Sequence, residues 1–303
     1  MSASREHFAV LSPLVFFSLF ERALTVEEVV RWQAKTNHPP YTPAEAKVAL
    51  KACPFVEEHA GYFRLRGDFT YANPHDQKVL AQRYLQKSVQ YLAPLRFIPG
   101  LRSIAIANTV AFAAADAESD IDVFIVTKPG FLWWVRAIAT LVLHVQGVRR
   151  HGNRVAGRFC LSFYADETAM DFRAIALPDD IYLAHWIATL IPMVGEPCYR
   201  AFLAQNQVFV HEHLTYLEPL ALPFQKAGNT FLEMLLATAG APLLWLARFV
   251  QKAKMQHLPV TLGPGADVVV NDHMLKFHNN DRRRYFRDEF HRRMQLFHTD
   301  AQG

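Results

Sequence analysis

Apolar residues recur at helical spacing from the start of the chain. "VLSPLVFFSLFERAL" (10–24) puts a continuous apolar face on one helix. Thr25 precedes "VEEVVRWQAK" with Glu28 three residues on, the pattern of a capping box, so a second helix is predicted there. A third starts in "TPAEAKVALKAC", with Thr42 as cap, Pro43 at the first helical position and Glu45 completing another box. "FVEEHAGYFRLRG" (55–67) then alternates apolar and polar residues about Gly61, a hairpin signal. After "ANPHDQ" (72–77), a linker and helix start, a helical period runs towards Leu95. There the pattern changes. Runs of strand length, "SIAIAN" (103–108), "DIDVFIVT" (120–127) and "FCLSFYA" (159–165), alternate with a helix at 131–146 and a basic turn, "GVRRHGNRVAGR" (147–158). Such alternation predicts an α/β unit. Beyond "LPDD" (177–180), a helix start with Pro and acids near its N-terminus, the period is mainly helical. The exception is "ADVVVNDHMLKFH" (266–278), read as a strand pair turning at Asn271 and Asp272. The expected architecture is α/β (α+β) in three parts: 1–72, 73–178 and 179–303.

Three helices followed by a β-ribbon resemble a winged-helix module, an architectural likeness over residues 8–70 that carries no diagnostic residue. Modules that grip DNA present a basic face, because neutralising phosphates supplies much of the affinity. Residues 1–75 hold eight Lys or Arg and eight Asp or Glu, and the third helix and ribbon offer Lys47, Lys51, Arg64 and Arg66. DNA is therefore a permitted partner, but a structural or docking role is favoured.

Composition narrows the class further. Of 303 residues, 51% are hydrophobic and 20% charged, which describes a globular chain able to bury a core. A formal net charge of +4 is too small to imply nucleic acid. Cys53, Cys160 and Cys198 are scattered, without a CxxC pair, so neither a disulfide framework nor a zinc site is expected, and a cytoplasmic location is. The N-terminal apolar patch acquires Glu21 and Arg22 and lacks a small-residue cleavage site, a poor signal peptide. Two segments approach membrane length. "FLWWVRAIATLVLHVQGV" (131–148) is broken by Arg136 and His144, and "FLEMLLATAGAPLLWLARFV" (231–250) by Glu233, Pro242 and Arg248. A buried helix is expected from each, with no transmembrane span. Peripheral membrane contact is the lesser alternative for the second, which Lys252 and Lys254 follow.

One feature asks for chemistry. In "ESDIDVFIV" (118–126), Asp120 and Asp122 stand one residue apart at the head of a strand, so both project from the same face. Like charges side by side are unfavourable without a cation, and carboxylate oxygens suit a hard divalent ion such as Mg²⁺.

The surroundings of that pair resemble the DNA polymerase beta-like nucleotidyltransferase superfamily. There an apolar strand ends in a Gly-Ser or similar pair, and an Asp-x-Asp or Asp-x-Glu strand, often preceded by Ser, follows after a short spacer. Here "SIAIAN" ends in Asn108-Thr109, ten residues separate Thr109 from Asp120, and "SDIDVFIV" matches the second half. The match spans residues 80–170. The resemblance implies a nucleotidyltransferase-type mixed sheet and two metal ions on the paired aspartates, which bridge the phosphates and assist attack at the α-phosphorus. Asp120 and Asp122 would ligate Mg²⁺ or Mn²⁺. Asn108, Thr109 and Ser119 would contact the nucleotide, in a turn where backbone amides and a hydroxyl hold phosphate. Two departures stand out. Asn108 replaces the usual Gly, though Asn tolerates a left-handed backbone. The family's third carboxylate belongs on the strand "FCLSFYADE", whose alternating positions Cys160, Ser162 and Tyr164 are not acidic. Asp166 continues that alternation and is the expected third acid, with Glu167 and Asp171 as further options.

Other motifs say less. "HEH" (211–213) reads as a polar helix surface rather than a metal site, and "GPGAD" (263–267) as a turn rather than a P-loop. "RRHGNR" (149–154) reads as a solvated loop, with a grip on a phosphate-bearing substrate as the alternative. "KFHNNDRRRYF" (276–286) fits equally a helix start capped by Asn280 or Asp281 and a lid over a nucleotide or RNA. The leading expectation is a Mg²⁺-dependent transfer of a nucleoside monophosphate from NTP to an unspecified small molecule, protein or RNA. The rivals are an inactive nucleotidyltransferase-fold regulator and a winged-helix DNA-binding regulator.

Overall fold

Two reciprocal caps set the first helices. Thr25 and Thr42 each accept from the backbone N–H of the glutamate three residues on, whose carboxylate accepts from the threonine N–H in return. They begin α2 (Val26–Arg31) and α3 (Pro43–Ala52), which follow α1 (Ala3–Ser18) and precede the hairpin of β1 (Val56–His59) and β2 (Tyr62–Leu65). The computed structural model describes residues 3–218, 227, 230–256, 267–278 and 282–299. In the N-terminal module, Lys51 pairs with Glu58, Arg64 with Glu57, and Arg66 donates to the Val56 carbonyl. Three of its four candidate DNA-facing cations are thus engaged within the module itself.

From α4 (Pro74–Leu92) the chain enters a six-stranded sheet. Its strands are β3 (Leu101–Ala107), β4 (Ile121–Thr127), β5 (Phe159–Asp166), β6 (Ile191–Val194), β7 (Asp267–Val270) and β8 (Met274–His278), in spatial order β6-β3-β4-β5-β8-β7. Only β4 and β5 run parallel, joined through α6 (Leu132–Val145); the other pairings are antiparallel. The architecture is mixed α/β. Alternation sorts β4 between two cores: Ile121, Val123 and Ile125 pack towards α6, while Phe124 and Val126 pack towards α7 (Ile181–Thr189) and α8 (Glu196–Val210).

The expected boundary at residues 178–179 does not separate the sheet from the C-terminal third of the chain. β6, β7 and β8 all come from beyond it. Strand β6 escapes a sequence reading because it has four residues and contains Pro192, tolerated here because β6 is an edge strand. The last helix, α11 (Arg283–Thr299), returns to the N-terminal module, where Phe290, Met294 and Phe297 share a core with Leu14 and Phe17 of α1. Asp180 caps α7 and accepts from Arg283, both side chains being buried, which ties α7 to α11.

The second apolar segment departs from expectation. Instead of one buried helix it forms α9 (Thr230–Thr238) and α10 (Ala241–Gln256), bent by 80° at the break around Gly240, with most of their large apolar side chains exposed. Among the described residues no single helix is long and apolar enough to cross a membrane.

Candidate functional site

Residues on one face of β4 lie in register with Phe124, and that face opens into a cavity of about 470 Å³. Asp122 is the second residue of β4, paired with Ala107 of β3 and Cys160 of β5; Asp120 sits just before the strand. Both line the cavity, as do Asn108, Thr109 and Ser119. Five of the six residues singled out in the sequence therefore share one space.

Asn108 adopts the left-handed conformation (φ +55°) at the turn out of β3, as an Asn can. Its side chain bridges two walls: the amide N–H donates to Asp122 Oδ2 (2.7 Å), and its carbonyl accepts from the Tyr182 hydroxyl (3.0 Å). The following helix, α5 (Asn108–Ala111), has four residues. So short a helix has no appreciable macrodipole to offer an anion. Ser119 is held in a turn by reciprocal bonds with Asp116, accepting from its N–H and donating to its carboxylate.

The two carboxylates already face a cation. Arg150 Nη1 donates to Asp120 Oδ2 at 2.6 Å and lies 3.7 Å from Cys160 Sγ. Burial, and then the neighbouring Asp120 charge, hold the Asp122 carboxyl above the ordinary range, at about 6. Burial likewise drives the Cys160 thiol far up, so it stays protonated.

Asp166 does not join this group. A register shift in β5 between Cys160 and Phe163 breaks the alternation on which the expectation rested. Past it, Phe163 and Ala165 share the Phe124 face, whereas Tyr164 and Asp166 turn to the other. Asp166 is also at the far end of the strand, opposite Thr127, five residues and about 16 Å along β4 from Asp122. There it is fully buried, accepting from the Thr168 N–H and hydroxyl and pairing with His273. Asp171 caps a 3-10 turn and pairs with Arg173, and Glu167 pairs with Arg102. Among the described residues, the group whose ligand atoms converge with the pair is Asp120, Asp122 and Cys160, all within 4.8 Å. A thiol stands where the third carboxylate was sought.

The far wall combines part of "KFHNNDRRRYF", weighed in the sequence as a cover over a nucleotide, with Phe163, Tyr182 and Trp186, which sequence reasoning left unassigned. Tyr182 stacks on Phe286 at 5.0 Å and 10°, Trp186 and Phe163 stand deeper, and Lys276, Arg282 and Arg283 supply positive charge. Lys276 is buried on β8, paired in register with Phe163; Arg283 is held by Asp180 and the Ile175 carbonyl. Arg282 lies over the rings of Tyr285 and Phe286. The density of cations and aromatics in "KFHNNDRRRYF" was the available signal; its candidate caps Asn280 and Asp281 lie outside the described residues. Arg150 belonged to "RRHGNR", read as a loop. "HEH" forms a turn after α8, where His211 bonds the Leu214 carbonyl. Residues 263–266 of "GPGAD" lie outside the described residues.

Two aspartate carboxylates on one face, with ligand atoms in close range, fit a single divalent cation. They do not fit a pair of ions bridged by three carboxylates, because a neutral thiol is a poor partner for Mg²⁺. The Arg150–Asp120 ion pair is no obstacle. Arg150 is 45% exposed, so its guanidinium can leave Asp120, itself 15% exposed, for another anion. No family model, curated protein or solved structure matches the chain.

Proposed function

We propose that the protein is a metal-dependent nucleotidyltransferase that takes a nucleoside triphosphate into this cavity with one divalent cation. The observation that carries the reading is the convergence in one 470 Å³ space of two carboxylates at the head of β4, four cationic side chains and a stacked aromatic pair. Each class of group answers one part of a nucleotide: cations the phosphates, aromatic faces the base, carboxylates the accompanying metal. The order of elements supports it too. An apolar strand, a short turn helix and an Asp-x-Asp strand follow one another, with the second strand antiparallel to the first and parallel to the third.

A bound Mg²⁺ supplies charge neutralisation on the phosphates and polarisation of the α-phosphoryl group. Asp120 and Asp122 would hold it. Arg150, released from Asp120, turns to the phosphates, and Lys276 and Arg282 balance the rest of their charge. Asn108 keeps Asp122 oriented through its amide while Tyr182 orients Asn108. An acceptor oxygen attacks the α-phosphorus, the bond to the bridging oxygen breaks, pyrophosphate leaves with that electron pair, and the acceptor proton passes to water. The chain's contribution is positioning and electrostatic stabilisation.

Cys160 favours a second reading, nucleotide binding without transfer, because it occupies the place opposite Asp122 where a third acid would hold a second metal. Calorimetric titration with each NTP, with and without Mg²⁺, followed by assay of pyrophosphate release, separates the two. Mg²⁺-dependent binding with release supports transfer, and binding without release supports the second reading. Absence of binding, or binding unchanged in the double variant Asp120→Asn, Asp122→Asn, contradicts both.

A further inference from the structure

The helices α9 and α10 turn most of their apolar surface outward. In a helix that packs on a soluble body, apolar residues face the body and polar ones face water. Here Leu236 and Leu244 pack against the core, but most of the other apolar residues face outward and most of the remaining docking contacts are polar. The buried side chain of α9 is Glu233, which accepts from Arg102 and Lys128 at 2.8 Å, while Phe231, Leu232, Met234 and Leu235 are exposed. On α10 the buried residue is Gln251, which donates to the Trp133 carbonyl. Arg248 and Lys252 reach Asp272 on the β7–β8 turn. Leu243, Trp245, Leu246, Phe249 and Val250 are exposed, with Trp245 and Phe249 stacked at 5.4 Å.

We propose that this bent pair is a membrane-surface anchor whose occupant is the interfacial region of a lipid bilayer. Several observations favour lipid over another protein. An apolar exterior on helices whose charges are paired inward suits a surface facing hydrocarbon, where an unpaired charge is costly. Phe231–Thr238 and Ala241–Ala253 together carry an apolar stretch of membrane-span length, but the chain bends by 80° between them. At 9 and 16 residues the helices extend about 14 and 24 Å, short of the ~30 Å hydrocarbon core, so they lie in the interface. From residue 234 to 247 there is no charged side chain; Arg248, Lys252 and Lys254 then follow without an acid among them. Arg248 and Lys252 share the single carboxylate of Asp272, so a net positive charge remains near the exposed Trp245, which matches the headgroup level of an anionic leaflet. The proposal is independent of the reaction assigned to the cavity.

The test is flotation of the full chain with vesicles of phosphatidylcholine alone and of phosphatidylcholine with phosphatidylserine. Binding to both is expected, several-fold stronger with the anionic lipid. Trp245 is 61% exposed and the other four tryptophans are not exposed, so acyl-chain-brominated lipid will quench mainly Trp245. Leu246→Glu with Phe249→Glu, both at exposed positions, is expected to keep the unfolding transition and cut vesicle partitioning about tenfold or more. Failure of the wild-type chain to float, or equal flotation of the variant, overturns the proposal. A dimer in light scattering that the same variant dissociates, with no flotation, overturns it in favour of self-association.

Discussion

At the scale of the residue, the arrangement around Asp120 is one of exchangeable charge. The carboxylate pair is too close to stand unneutralised, and Arg150 donates to Asp120. Because Arg150 competes with a cation for Asp120, Arg150→Ala is expected to raise Mn²⁺ affinity of the nucleotide-free chain a few-fold, read by equilibrium dialysis. An unchanged or lower affinity would mean that Arg150 supports the site instead. Cys160→Asp places a third carboxylate opposite Asp122 and is expected to raise Mg²⁺-dependent pyrophosphate release by ~tenfold or more. No rise would locate the limit elsewhere. Of the site, the sequence made legible the part that depends on strand alternation within one uninterrupted run. Asp120 and Asp122 face together because nothing breaks β4 at that point. Asp166 was misplaced because β5 carries a register shift, and a single extra residue inverts every side chain beyond it. Lys276, Arg282 and Tyr182 could be recognised as charges and rings, but only tertiary packing brings them to Asn108.

At the scale of the element, local signals served best where hydrogen bonds are local. The capping boxes at Thr25 and Thr42 and the left-handed Asn108 follow from chemistry within three or four residues. The helices α9 and α10 could not be read so, because a helical period does not say which face meets the body. Two elements offer stability tests. Gly195, between β6 and α8, has φ +78°, and a Cβ there would lie 1.8 Å from the Arg102 carbonyl oxygen. Gly195→Ala is expected to cost at least ~2 kcal/mol in urea unfolding, and a neutral result would mean the β6–α8 turn can relax. His185 of α7 is fully buried, stacked on Phe16 of α1 at 3.6 Å, with Nε2 lacking a hydrogen-bond partner. Burial, with a smaller opposing effect of the Ile181 carbonyl and a further push from His213, lowers its pKa to about 3. The unfolded chain binds this proton below its ordinary value of 6.5, whereas the folded chain does not until about 3. Stability from this group is therefore complete above pH 6.5 and is lost as pH falls towards 3, at about 1.4 kcal/mol per pH unit. Replacing it by His185→Leu is expected to flatten the fall in unfolding free energy between pH 6.5 and 4.5; parallel curves would contradict the assignment.

At the scale of the whole molecule, the three expected parts interlock. Strands from the C-terminal third widen the sheet, and α11 packs against α1, so the cavity draws on the N-terminal module through Phe20, on the sheet through Asp122 and on α11 through Phe286. That closure explains why the sequence pattern located the carboxylate wall but could not set Tyr182 and Arg282 opposite it: Tyr182 is 60 residues and Arg282 is 160 residues from Asp122 in the chain. If the cavity is a nucleotide site, metal and nucleotide must be held together, each weakly alone. The most direct measurement is Mn²⁺ titration followed by electron paramagnetic resonance, with and without a non-hydrolysable ATP analogue. The account predicts that the analogue sharpens Mn²⁺ uptake by the protein and that Asp120→Asn with Asp122→Asn abolishes the gain. Uptake that ignores the analogue, or that survives both substitutions, would contradict it.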